Sequence, residues 1–114
     1  MSDDAARIVE VVVLHVDGCP GVNPLLDRLD VAGNLAGVIV RPILTVVADE
    51  RAAVQLGMSG SPTVLIDGLD PFLSNAGPSL GCRLYHSANG FDGAPTVAAL
   101  TAALLVRSTQ HGDG

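Results

Sequence analysis

The chain of 114 residues predicts one α/β domain with its elements in the order β-α-β-α-β-β-α. Three observations support this. Continuous β-branched runs such as "IVEVVVLHV" suit strands buried on both faces. Between them lie amphipathic stretches bounded by helix-capping residues and glycines. The 48% hydrophobic content, with one Tyr, two Phe and no Trp, calls for a core built from Val, Leu, Ile and Ala. A chain of this length buries roughly two-thirds of its unfolded surface and needs no metal or disulfide scaffold.

The first strand is read over Ile8 to Val16 and placed centrally, with parallel neighbours. The segment "NPLLDRLDVAGN" follows as a short helix, with Asn23 as N-cap, Pro24 at the first helical position, Leu25, Leu26 and Leu29 on one face and Gly33 as the stop. The second strand covers Gly37 to Val47, and Pro42 inside it assigns it to a sheet edge. A second helix starts from Asp49 as N-cap, carries Ala53, Val54 and Leu56, and ends at Gly57. "SPTVLIDG" reads as the third strand and "CRLYH" as a short fourth. Thirteen residues rich in Pro, Gly, Ser and Asn separate them (69–81), a length that marks function or mobility. "SANGFDGAP" reads as a turn and "PTVAALTAALLVRS" as the last helix, opened by Pro95 and Thr96. The domain core is expected over residues 8–106, with frayed ends at the N-terminus and over 107–114.

Charge and composition narrow the function classes. The net charge is −6, and all six basic residues are arginines spread singly along the chain, so no basic cluster exists to neutralise phosphates. Nucleic acid is therefore not an expected partner. The apolar runs fall short of the eighteen or so residues of a membrane span, and "MSDDAAR" lacks the basic start of a signal peptide. A cytoplasmic protein without membrane association is expected. His15, His86 and His111 are far apart and show no zinc-ligand spacing, and the Gly-rich stretches lack the Lys of a phosphate-binding loop. No cofactor or metal is expected. Arg83 and Tyr85, alternating on a short strand, are expected to point one in and one out.

The element order, a cysteine just after the first strand ("DGCPG") and a Gly-Ser-Pro-Thr sequence opening the third ("GSPTVLI") together resemble the thioredoxin fold. The likeness spans roughly residues 8 to 106. Within that superfamily, "GCP", "GSPTVLIDG" and "CRLY" are similar to a small bacterial group described as thioredoxin-like or alkylmercury-lyase-like. The resemblance implies a three-layer fold around a four-stranded mixed sheet. It also implies a cis peptide bond before Pro62, facing a reactive Cys19, with the Ser61 backbone as a docking edge for an extended substrate. Pro20, Ser61, Pro62 and Thr63 are then the substrate-binding residues.

The chemistry departs from a dithiol enzyme. Two thiols three positions apart can bridge, but here the motif reads Cys19-Pro20-Gly21-Val22, so a local disulfide is excluded. What remains is a monothiol route at Cys19, acting on a thiol or disulfide substrate or on a protein partner, with Cys82 as a distant resolving thiol. In the expected sheet Cys82 would begin a fourth strand parallel to the first. That places it at the end away from Cys19, about 13 Å removed, beyond the roughly 7 Å limit for a disulfide. Asp17, two residues before Cys19, is the candidate acid or base, although a neighbouring carboxylate disfavours a thiolate. Two alternatives share these residues. One is a non-catalytic binding module using the Ser61 edge and the 69–81 loop. The other is soft-metal or organomercurial handling, in which Cys19 and Cys82 hold Hg(II) and Asp17 protonates the departing carbon.

Overall fold

A computed structural model describes residues 7–72 and 77–112, with side chains through residue 106. The expected fraying of residues 1–6 and of the last two residues lies outside the described residues, as does part of the long loop (73–76). The first strand, β1 (Arg7–His15), pairs in parallel with β2 (Val38–Val46) and antiparallel with β4 (Thr63–Ile66). The sheet order is β2-β1-β4, so β1 is central and the Pro42 strand is an edge. Its central place follows from its composition: Val9, Val11 and Val13 are buried on one face and Leu14 on the other.

The helix after β1 is α1 (Val22–Ala36), longer at both ends than the sequence suggested. Gly21, not Asn23, caps it, and Pro24 fits in the first turn because the N–H it lacks would have no intrahelical acceptor. The helix ends at Gly37, in the left-handed conformation at φ 76°. Gly33 is an interior residue buried against β2. Helix α2 (Glu50–Leu56) begins as expected at Asp49, whose carboxylate accepts from the Ala52 N–H at 2.8 Å, and ends at Gly57. Helix α3 (Val97–Gly112) is capped by the Thr96 hydroxyl, which accepts from the Ala99 N–H. It continues past residue 107, where the frayed tail was expected to begin.

The second half of the chain differs more. The run "SPTVLIDG" splits at Pro62 into β3 (Ser59–Ser61) and β4. The expected fourth strand does not form as one piece: β5 (Ser79–Cys82) ends where "CRLYH" was to begin, and β6 (Tyr85–Ser87) follows after Arg83 and Leu84. β5 pairs in parallel with β3, while β6 forms a hairpin with β7 (Gly90–Asp92) inside the segment read as a turn. A mixed three-stranded sheet and two small two-stranded sheets therefore replace the expected four-stranded sheet.

The sheet has helices on both faces. On one side Val9, Val11, Val13, Val64 and Ile66 pack with Leu25, Leu29 and Ala32 of α1 and with Leu100 and Leu104 of α3. On the other, Leu14 and Val47 pack with Ala53 of α2 and with Met58. Among the described residues, no helix is long and apolar enough to cross a membrane.

Candidate functional site

The turn from β1 into α1 carries Cys19. Gly18 takes φ 75° there, a left-handed conformation that costs glycine little. The Cys19 N–H then donates to the Val16 carbonyl and its own carbonyl accepts from Val22, both at 3.3 Å. Cys19 is half-buried, two residues before the cap of α1, while Asp17 and Pro20 on either side are exposed.

Gly21 is where three distant segments meet. A Cβ on it would lie 2.5 Å from the Gly93 carbonyl oxygen and 3.0 Å from Pro62 Cδ. Only glycine lets the Cys19 turn, the Pro62 turn and the loop before α3 approach so closely. The third segment was not foreseen; its one local signal is the "DGAP" stretch just before the last helix.

The Pro62 turn is tied from every side. The Ser61–Pro62 bond is cis. The Ser61 hydroxyl accepts from the Val16 N–H at 3.0 Å, which fastens this turn to the base of the Cys19 loop. Thr63 is fully buried; its hydroxyl donates to the Gly60 carbonyl at 2.6 Å and accepts from the Ser59 N–H at 3.1 Å. The Tyr85 hydroxyl donates to the Pro62 carbonyl. Burial pushes the Tyr85 phenol well above its ordinary range; Arg83 opposes that shift, while Asp70 and then Cys19 add to it.

The expected docking edge at Ser61 is already in use. In the β3–β5 pairing Ser61 is opposite Cys82, and the Ser61 carbonyl accepts from the Arg83 N–H at 3.0 Å. Cys82 is thus the last residue of its strand, flanking the Pro62 turn, and not the first residue of a strand starting at the far end of the sheet. Both cysteines are free thiols, Cys82 the more exposed. A cleft of about 430 Å³ opens between α3 and the β3–β5 pair, lined by Ser59, Cys82, Arg83, Tyr85, Pro95 and Ala99 among others. Cys19 does not line it, so the two sulfurs face different surroundings.

Arg83 and Tyr85 are both buried, not one in and one out: residues two apart along an extended chain face the same way, and both side chains reach the Pro62 turn, Arg83 at the Thr63 hydroxyl and Tyr85 at the Pro62 carbonyl. The Arg83 guanidinium pairs with Asp70 at 2.6 Å, donates to the Phe72 carbonyl and stands 4.7 Å over the Tyr85 ring. Arg28 fastens the loop before α3: it donates to the Ala94 and Pro95 carbonyls at 3.0 and 3.1 Å and to Asp92 at 2.8 Å. Hydrogen bonds from Arg28 and from the Gly93 N–H hold the Asp92 carboxyl below its ordinary range. His15 bonds the Val16 carbonyl, His86 lies against Phe91, and the His111 side chain is outside the described residues. Among the described residues no group of three or more His, Cys, Asp or Glu could hold a metal ion.

Comparison of the chain with protein-family models, with curated proteins and with solved structures gave no match.

Proposed function

We propose that the chain is a thioredoxin-fold thiol protein acting through a single thiol at Cys19. The observation that carries this reading is the approach of the Cys19 turn, the Pro62 turn and the Gly93 loop around Gly21. It supports a half-buried sulfur set beside a fixed wall, with Ser61 joining the two sides. The reaction is thiol–disulfide exchange. The Cys19 thiolate attacks a substrate disulfide, one substrate sulfur forms a mixed disulfide with Cys19, and the other leaves as a thiolate. A small-molecule thiol then attacks that mixed disulfide and releases Cys19; Cys82, on the cleft that Cys19 does not line, would take this part only after a movement of the β3–β5 pair. Asp17, exposed beside the turn, is the candidate to exchange the protons.

The cleft supports a second reading, a non-catalytic binding module. Its volume falls within the range of roughly 300–1,000 Å³ of small-molecule sites, and Cys19 is not part of it. The two readings separate by rate. Cleavage at arginine places Cys19 in the peptide 8–28 and Cys82 in the peptide 52–83, so mass spectrometry follows each thiol separately. Reduced native protein is treated with oxidised glutathione, and the same chain unfolded in urea is the reference. The thiol reading expects Cys19 to exchange at least tenfold faster in the native protein than in the unfolded chain. A native rate at or below the unfolded one overturns it and leaves the binding module.

A further inference from the structure

We infer that Tyr85, braced by Arg83, is a positioning residue of the Cys19 site, holding the Pro62 turn in register with the Cys19 loop through its hydroxyl. This rests on the thiol reading above.

The Pro62 carbonyl belongs to neither β3 nor β4, so no ladder bond is assigned to it, and the Tyr85 hydroxyl is the donor that meets it. Tyr85 is 5% exposed; its ring and that of Phe72 form a T-shaped pair with centroids 5.5 Å apart, and the Arg83 guanidinium stands 4.7 Å from its ring centroid. Arg83 is fixed in turn. Its side chain is 7% exposed and engages Asp70, the Phe72 carbonyl and, at 3.5 Å, the Thr63 hydroxyl, while its backbone N–H holds the Ser61 carbonyl. Residues 70, 72, 83 and 85 thus close on Ser61, Pro62 and Thr63.

Stability alone is a poor account of this cluster. An ion pair between the buried Arg83 and the half-buried Asp70 must repay the desolvation of its charges, and apolar residues of similar volume often serve stability as well or better. What fully satisfied polar groups supply that apolar ones do not is a single geometry. A single geometry is needed at Pro62, because its Cδ stands only 3.0 Å from where a Gly21 Cβ would be. A shift of the turn by a few tenths of an ångström would alter the wall facing the Cys19 loop. Small misplacements in a reacting pair are costly in rate.

The test compares Tyr85→Phe with the native protein, using two probes at Cys19 read on the peptide 8–28. Iodoacetamide is small and needs only an accessible thiol. A decapeptide whose cysteine is a 2-thiopyridyl mixed disulfide is bulky and must also fit beside the Cys19 turn, whose packing against the buried Pro62 is what the Tyr85 bond sets. Tyr85→Phe is expected to slow the decapeptide reaction about tenfold, the effect of a hydrogen bond of about 1.4 kcal/mol, and to change the iodoacetamide rate less than twofold. Asp70→Asn, which loosens Arg83 without touching the Pro62 carbonyl, is expected to shift the same ratio in the same direction by a smaller factor. If native Cys19 reacts with the decapeptide no faster than the unfolded chain does, the thiol reading fails and this inference falls with it. If native Cys19 reacts fast and the ratio of the two rates is unchanged in a folded Tyr85→Phe protein, the positioning role is overturned while the thiol reading stands. A parallel fall in both rates likewise overturns it, since that marks a general structural effect.

Discussion

Tyr85 is the only tyrosine in a chain without tryptophan, so its ionisation can be read without interference from other residues. Burial favours the neutral phenol, and the bond to the Pro62 carbonyl requires its proton. The native pKa lies above that of the unfolded chain, which titrates near the ordinary value of about 10. The stabilisation is therefore complete below about pH 10. It is lost as pH rises from there toward the native value, because the unfolded chain releases its proton first. Phenolate absorbance near 295 nm should thus be missing from the folded protein at pH 10.5, and should appear there on unfolding in urea. Half-ionisation near pH 10 with an unchanged far-UV circular dichroism spectrum would show that the phenol is not held. None of this was readable from "CRLYH". Arginine is among the residues least often buried, so Arg83 on a short strand reads as solvated until the contacts of Asp70 and Phe72 are known.

Helix α1 shows which parts of an element local sequence encodes. Both Gly33 and Gly37 follow the apolar positions Leu25 and Leu29, and either could end the helix. Only Gly37 takes a positive φ; Gly33 is helical, and its missing side chain lets β2 approach. A Cβ at Gly33 would meet Val40 Cγ2 at 2.9 Å and the Val38 carbonyl oxygen at 3.2 Å. Replacing glycine by alanine inside a helix ordinarily gains about 1 kcal/mol, whereas overpacking a tight contact costs about 1–3 kcal/mol. The contact decides the sign here. Gly33→Ala should lower the urea midpoint, and Asn34→Ala, one residue on and exposed, should raise it slightly or leave it unchanged. A rise for both would mean that Val40 and Val38 yield without cost. The cap at Asp49 and the edge position of the Pro42 strand were legible because each depends on one residue and its near neighbours. The β3–β5 pair was not. Ser59-Gly60-Ser61 has no apolar residue to signal a strand, and its partner lies some twenty residues away. That unseen pairing moved Cys82 from the expected far end of the sheet to the flank of Ser61.

Across the whole molecule, the candidate site depends on segments that are remote in sequence, around Cys19, Pro62 and Gly93. The first two were marked by a cysteine after a strand and a proline before one. The third became visible only through Gly21, and through Arg28, which reaches from the second turn of α1 to Asp92, Ala94 and Pro95. In a chain with twelve acidic residues and six arginines, this contact adds a positive charge to a loop already anchored by Ala94, which is buried in the core beside Leu25 and Leu29 of α1. Its electrostatic part depends on the Asp92 carboxylate, whose native pKa is lowered by Arg28 and by the Gly93 N–H. A lowered native value gives stability that is present above the unfolded pKa of about 4 and is lost as pH falls through the native one. Urea midpoints of the native protein and of Asp92→Asn should therefore differ by a constant amount from pH 7 down to about 4, the native protein being the more stable. Below that the difference should shrink toward zero, while the two carbonyl bonds of Arg28, which do not titrate, keep the loop attached in both proteins. The same pair should also lose part of its difference in 1 M salt, because the Asp92 side chain is 44% exposed and open to screening. A difference that persists unchanged below pH 3 would assign the effect of the substitution to packing of the loop and remove the ion pair from the account of how the Gly93 segment is held against Gly21.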